Sequence, residues 1–360
     1  MNNETENNSQ ETTLNEKHPI IVLSNQHITE KIDKKEDTIN YSIKKDSHIL
    51  FYLATTVLTI LLYSYCAFAS NVALIEIIDL ELPLAILFTL ILTECSIQGY
   101  SKISYVIYVV LSCILYMINP TYAFFFVIAL ISNLITKSIE KIYFNKNDFR
   151  FSDDFSSKTI FKKHILRVKY HLFLSFVLFV IFLLLGYFYP TVFQSLVLPT
   201  IQGMSEGVQN GTVKLETVPL FINNFSVALN MIYGGFLLST ATTYSLIFNA
   251  LVVGVTACTM DLGYFLSYTL PHGIFELTAI IIAGAAGFRV SESILTIFSG
   301  IKLNCDNKGE IFAKHVEIGY KMLFDVLIML VIIIVLLIIA AYIEANLTIP
   351  LGQTLMNNVI

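Results

Sequence analysis

Long runs of apolar residues, bounded by charged or turn-forming residues, constrain this chain more than any other feature. In lipid, an unclosed segment satisfies its own backbone hydrogen bonds only as a helix, and a full crossing takes roughly 20 apolar residues. The sequence therefore predicts an all-α, polytopic membrane helical bundle with about nine transmembrane helices. The predicted spans are residues 49–69, 82–97, 103–118, 121–135, 170–189, 221–240, 245–260, 271–288 and 322–342.

Composition agrees with this class of protein. Hydrophobic residues make up 55% of the chain and charged residues only 14%, whereas about a quarter of the residues in a soluble domain are charged. The second, third and fourth spans are short for a full crossing, and a re-entrant segment is an alternative for each of them. We expect tight turns at Asn119-Pro120 and at residues 241–243.

The distribution of basic residues predicts the orientation. Lys and Arg accumulate in the short cytoplasmic loops of membrane proteins. If the N-terminus is inside, every Lys and Arg except Lys214 falls in a cytoplasmic segment, and the chain after Glu344 contains neither residue type. We therefore predict a multi-pass protein of the cell membrane with its N-terminus inside and its C-terminus outside.

Charge and polarity also predict the domain organisation. Residues 1–48 are polar and predict a disordered cytoplasmic tail. A basic cytoplasmic linker at residues 138–168 separates a four-span bundle at residues 49–137 from a five-span domain at residues 169–344, and residues 345–360 form a short outside tail. The positive-inside rule alone explains the basic residues of this linker, because it predicts Lys and Arg in cytoplasmic segments. Binding of the linker to anionic lipid is the alternative.

The outside loop after the fifth span has an amphipathic pattern. Val192, Phe193, Leu196 and Val197 fall on one helical face, and we expect Pro199 to end that helix. The sequence therefore predicts a short interfacial helix.

Polar residues inside the predicted spans mark a candidate site. His272 and Glu276 are four residues apart and share one face of a helix. Asn223, Asn224 and Asn230 lie in a neighbouring span, and polar side chains are costly in lipid, so we expect them to face protein. The sequence predicts an intramembrane polar cluster of these five residues near the outer end of the bundle.

The span that carries His272 also has a stripe of small residues. Ala279, Ala283 and Gly287 are spaced four apart, a pattern that lets helices pack closely in membranes and predicts a central position in the bundle. We expect Pro271 to lie in the first turn of this helix. Backbone N–H groups have no partner within the helix there, so the N–H that proline lacks is not missed. Arg289 follows at the cytoplasmic end, where we expect an interfacial anchor.

The C-terminal half resembles the stage II sporulation protein M family over roughly residues 162–344. The pattern that carries the resemblance, in order, is Asn223-Asn224, Gly234-Gly235, Asn249, Gly254, Pro271-His272-Gly273, Glu276-Leu277, Ala283-Gly284 and Gly287-Phe288-Arg289. The resemblance implies five spans in this region. The four spans that precede it have no counterpart in the sporulation protein.

The resemblance implies a scaffold or assembly component of an envelope complex and not an enzyme. In spore-forming bacteria this family's protein works with extracytoplasmic cell-wall-degrading enzymes, so we expect the lipid bilayer, envelope enzymes of that kind and a possible second copy of the chain as partners. We expect no catalytic residues, no cofactor and no metal. The sequence has no nucleic-acid-binding pattern, and we expect no nucleic acid partner.

Three alternatives for the polar cluster remain open. A small-solute or proton-coupled transporter could use the His272 and Glu276 pair, because ionisable residues inside membranes often line a solute or proton path. The pair could instead only hold helices together. Intramembrane catalysis is the least supported alternative, because there is no HExxH motif, no second His nearby and no nucleophile in a motif setting.

Overall fold

The structure is a computed structural model, and it describes residues 87–89, 91–92, 101–118, 120–145, 157–211, 215–302 and 308–359. Within these ranges all regular secondary structure is helical, which confirms the predicted all-α class. The predicted tail at residues 1–48, the first predicted span, most of the second and the central part of the linker lie outside the described residues.

Nine helices follow one another in the described ranges. They are α1 (Ser101–Ile118), α2 (Pro120–Asn145), α3 (Ser157–Phe188), α4 (Pro190–Gln209), α5 (Thr217–Tyr233), α6 (Thr240–Thr259), α7 (Leu262–Lys302), α8 (Lys308–Asn346) and α9 (Thr348–Val359). A short 3-10 helix at Gly234–Leu237 extends α5.

Five helices are long and apolar enough to cross a membrane. These stretches are His164–Phe188, Thr217–Leu237, Thr240–Thr259, Leu262–Phe298 and His315–Asn346. They correspond to the five spans predicted for residues 169–344. The third and fourth predicted spans coincide with shorter apolar helical stretches, Lys102–Ile118 and Ala123–Ile139.

Helix α4 begins where the sequence predicts a short interfacial helix, but it is longer than expected. Val192, Phe193 and Val197 are buried, in agreement with the amphipathic pattern. The prediction that Pro199 ends the helix is wrong, because α4 continues to Gln209. Pro199 lies on the exposed face, where water can satisfy the carbonyl that a proline leaves without a donor.

The turn between α5 and α6 lies a few residues before the predicted position. Leu238 and Ser239 have φ values of 50° and 63°, in the left-handed region, and Thr240 already begins α6. Two consecutive left-handed residues reverse the chain sharply. Residues 241–243, where the sequence predicts a turn, therefore belong to the first turn of the helix.

Helix α7 is the longest element and differs most from its prediction. It has 41 residues and contains Pro271 in its interior, so the prediction that the helix begins there is wrong. At 1.5 Å per residue α7 is about 61 Å long, roughly twice the thickness of the hydrocarbon core. It is therefore longer than a single crossing requires, whereas the prediction covers only 18 residues.

One hydrophobic core contains residues from both halves of the chain. Phe124 and Ile128 of α2 belong to the same cluster as Leu246 and Ala250 of α6, and the rings of Phe125 and Tyr244 lie 5.7 Å apart. The described residues from Leu87 onward likewise belong to one compact unit. Helix α2 therefore packs directly on the segment that resembles the family.

Candidate functional site

Two helices bring three ionisable side chains together at one end of the bundle, which we call the His272 end. Helix α7 contributes His272 and Glu276, one turn apart, and Glu344 comes from the last turn of the antiparallel α8. One potential ligand atom from each residue lies within 4.8 Å of those of the other two, and all three side chains are half-buried. The sequence-predicted pair is therefore joined by a carboxylate that lies 68 positions beyond Glu276 in the chain.

A hydroxyl group orients the His272 ring. His272 Nδ1 lies 3.1 Å from Thr348 Oγ1, and Thr348 Oγ1 donates its single proton to the carbonyl oxygen of Ile343 at 3.2 Å. The hydroxyl oxygen is then left to accept, which favours the imidazole tautomer with its proton on Nδ1 and its lone pair on Nε2.

The two carboxylates of the trio lack a basic partner. Among the described residues, neither Glu276 nor Glu344 accepts a side-chain hydrogen bond or forms an ion pair. Two ionised carboxylates this close repel one another, and partial burial strengthens that repulsion. The arrangement favours the uptake of a positive charge, either a proton or a metal ion.

The predicted asparagines lie on α5 and not in this trio. Asn223 and Asn230 are exposed and Asn224 is half-buried. The amide of Asn223 contacts Asn224 Oδ1 at 3.5 Å. Of the five residues predicted for the polar cluster, the structure thus brings His272 and Glu276 together. The expectation that the asparagines face protein is wrong for Asn223 and Asn230, which are exposed on α5.

A second group of charged residues is buried at the opposite end, which we call the Arg289 end. Arg289 was predicted to be an interfacial anchor, yet its side chain is only 4% exposed. It donates to Asp325 Oδ2 of α8 at 2.7 Å and to Glu292 of its own helix. Arg289 is therefore buried against α8 and its own helix, paired with two carboxylates, and its side chain is not exposed as an anchor in lipid headgroups would be.

Helix α3 completes this charged group, which we call the ionic network. Arg167 donates to both oxygens of Asp325, and His164 Nδ1 lies 3.0 Å from Asp325 Oδ1. His171 Nε2 lies 2.9 Å from Glu292 Oε2. The network contains two arginines and two carboxylates, so its formal charges balance with both histidines neutral, and it joins α3, α7 and α8.

The predicted small-residue stripe is buried. Ala279 and Ala283 are fully buried, and a Cβ at Gly287 would collide with the carbonyl oxygen of Met231 and the side chain of Thr242. Thr242 Oγ1 donates to that same Met231 oxygen at 2.7 Å. The stripe therefore allows α7 to approach α5 and α6 closely.

The sequence analysis did not select several residues that the structure brings into these sites, and three of them are acidic. Asp325 lies inside the ninth predicted span, and a charged residue in a span is itself a signal of a functional or paired site. Glu292 follows Arg289 at a spacing of three, which places the two side chains on one helix face. Glu344 lies just beyond the predicted end of the same span, and only the antiparallel pairing of α7 and α8 connects it with His272.

Comparisons with known proteins match part of the chain. The chain is 34% identical over 76 residues to Uncharacterized protein MJ0793 of Methanocaldococcus jannaschii, a stretch that covers 20% of this chain and 43% of that protein. The chain thus spans less than half the length of this relative. No solved structure matches the chain. The family resemblance is confirmed over a segment of the chain: residues 175–349 match the family model Stage II sporulation protein M. That segment contains the His272, Glu276 and Glu344 trio and the part of the ionic network that lies on α7 and α8.

Proposed function

We propose that the chain is a multi-pass protein of the cell membrane that serves as a non-catalytic scaffold in an envelope complex. The ionic network is the observation that supports this role. Asp325 is fully buried and takes hydrogen bonds from Arg167 of α3 and Arg289 of α7. Removing either partner leaves a buried charge uncompensated, so the three helices hold one arrangement. A rigid frame with internally paired charges suits assembly better than the passage of a solute.

The proposed orientation places the His272 end outside the cell. Lys and Arg cluster at the Arg289 end, and the positive-inside rule assigns that end to the cytoplasm. Helix α4 follows the far end of α3 and α9 follows the far end of α8, so both belong to the His272 end. Their exposed faces are the surfaces we propose for contact with extracytoplasmic envelope enzymes.

The test is affinity purification of the tagged protein in mild detergent, followed by mass spectrometry. Two exposed helical glycines provide a matched pair of variants, because a Cβ at Gly203 of α4 or at Gly309 of α8 meets nothing within 4 Å. We expect the wild type and Gly309→Arg to recover the same extracytoplasmic enzymes. Gly203→Arg should lose them while it folds normally, since its new side chain projects from the proposed contact surface.

The outcome that contradicts the scaffold is clear. If the wild type comes down alone, or only with further copies of itself, the chain does not assemble an envelope complex. Loss of the same partners from Gly309→Arg and retention by Gly203→Arg would instead place the contact surface on the cytoplasmic side.

A proton-coupled or small-solute transporter is the second candidate. It is favoured by the half-buried trio of His272, Glu276 and Glu344, because ionisable groups inside membranes often lie on transport paths. A transporter reconstituted in liposomes should take up protons or solute, and Glu276→Gln should abolish the flux at unchanged levels of folded protein. Glu216→Gln, an exposed substitution at the start of α5, is the control that should retain it.

A further inference from the structure

We propose that His272, Glu276 and Glu344 bind a divalent transition-metal ion that joins α7 to α8 at the His272 end. No such site is expected from the sequence, because no second histidine lies near His272 and the third ligand comes from the far end of another helix. The structure supplies that ligand.

The spacing of the three side chains fits a metal site after small rotations. Zinc binds nitrogen and oxygen ligands at about 2.0–2.2 Å, so two ligands of a tetrahedral ion lie about 3.4 Å apart. The ligand atoms of the trio all lie within 4.8 Å of one another. The distances between the ligand atoms must therefore shorten by at most about 1.4 Å. Rotations about the side-chain bonds of two glutamates and a histidine provide this change.

The charge of the trio calls for a divalent cation. With both carboxylates ionised and His272 neutral, the trio carries two negative charges. No basic side chain among the described residues offsets them. In a partly buried site this repulsion is costly. One divalent ion balances it fully, whereas a single shared proton balances half.

The hydrogen bond between His272 and Thr348 prepares the ring for a metal. Metal-binding histidines typically donate their second ring N–H to an oxygen, which fixes the ring and its tautomer. Here Thr348 Oγ1 is 3.1 Å from Nδ1 and has its own proton committed to Ile343. The Nε2 lone pair is therefore available, and Thr348 is a positioning residue for the site.

The ligand set indicates the class of metal. One imidazole and two carboxylates suit Zn²⁺, Mn²⁺ or Fe²⁺ better than the all-oxygen ligand sets of Ca²⁺ and Mg²⁺. Three protein ligands leave at least one position for water.

The test is titration of the detergent-purified full chain with Co²⁺, using an affinity tag that contains no histidine. Bound Co²⁺ in a site of mixed nitrogen and oxygen ligands gives visible absorption bands, and elemental analysis after exchange into Zn²⁺ gives the stoichiometry. We expect one ion per wild-type chain. His272→Gln, Glu276→Gln and Glu344→Gln should each lose the bands, while Glu216→Gln keeps them.

A second pair of variants separates metal binding from folding. Thr348→Val removes the acceptor of the His272 N–H but no ligand, and should weaken Co²⁺ binding by about 10-fold to 100-fold. Thr354→Val removes a hydroxyl on the same helix that bonds only to the Pro350 carbonyl, and should bind as the wild type does. Because metal binds only the folded chain, Zn²⁺ should also raise the melting temperature of the wild type and not of Glu344→Gln.

Three results would overturn the site. They are a wild type that takes up no stoichiometric Co²⁺, bands that persist in all three ligand variants, and equal affinities in Thr348→Val and Thr354→Val. None of them bears on recovery of envelope partners, so the metal site and the scaffold can fail independently.

Discussion

Arg289 of α7 donates a 2.7 Å hydrogen bond to Asp325 of α8 where the arginine is 4% exposed and the aspartate is fully buried. Transferring either charge from water into such a site is expensive, and only the pairing and its hydrogen bonds compensate. The bond therefore connects the two longest helices in the described part of the chain and makes each dependent on the other.

Neutralising Asp325 should destabilise the protein strongly. Asp325→Asn leaves Arg167 and Arg289 without their shared anion, and we expect a loss of about 3–5 kcal/mol in the free energy of unfolding. The loss of stability is measured by heating the detergent-purified protein and recording, by size-exclusion chromatography, how much of the monodisperse peak remains. The control is Glu317→Gln, which removes a carboxylate that is 62% exposed and pairs with Lys321 at 2.8 Å. That substitution should cost less than about 0.5 kcal/mol, and equal losses for both variants would contradict the structural role of the network.

Two glycine substitutions should have opposite effects. Gly287→Ala places a methyl group against the backbone of α5, so we expect a marked fall in melting temperature and in the yield of folded protein. Gly203→Ala meets no neighbour, and a helical alanine is favoured over glycine by about 0.5–1 kcal/mol. Its melting temperature should rise slightly. If Gly287→Ala is tolerated equally well, α7 does not pack against α5 and α6 as closely as described.

Shortening Phe125 should destabilise the whole described unit and not only α2. The ring is fully buried and packs on Tyr244 of α6. A phenylalanine-to-alanine change in a core typically costs about 3–5 kcal/mol. The reference variant is Ile107→Ala in α1, whose side chain is 49% exposed. Limited proteolysis distinguishes the outcomes, because cleavage confined to the region before α3 would mean that α2 folds independently of the C-terminal helices.

Cysteine labelling should report opposite sides of the membrane for α4 and for the start of α8. In a variant whose five native cysteines are replaced, Gly203→Cys should react with a membrane-impermeant maleimide in intact cells. Gly309→Cys should react only after the cells are permeabilised. Both positions are exposed and unobstructed, so access and not local packing decides the result. The reverse pattern would invert the orientation that the basic residues predict.

The sequence was sufficient for the helical class, the five apolar C-terminal helices and the closeness of His272 and Glu276 on one helix face. These depend on apolar length and on the four-residue spacing within one helix, which are local properties. The position of Pro271 was not predictable in the same way. A proline lowers local helix stability and favours the first turn of a helix, yet α7 continues through Pro271 without a break.

Partners from different helices were beyond the reach of sequence patterns. Glu344 reaches His272, and Asp325 reaches Arg289, only because α7 and α8 form an antiparallel hairpin with one particular alignment. Ser293 Oγ, which donates to the carbonyl oxygen of Gly319 at 2.8 Å, marks that alignment. The burial of Arg289 was missed for a related reason, since the true length of α7 follows from tertiary packing and not from hydropathy.

The alignment of the α7 and α8 hairpin is visible at two levels, where Glu344 lies beside Glu276 and where Asp325 accepts a hydrogen bond from Arg289. Glu276 and Arg289 are 13 residues apart on one continuous helix, or about 20 Å along its axis. Sliding α8 past α7 by a single turn would separate both pairs at once. The alignment of α8 on α7 therefore sets the position of Glu344 and the position of Asp325 together, and neither contact can form in a shifted register.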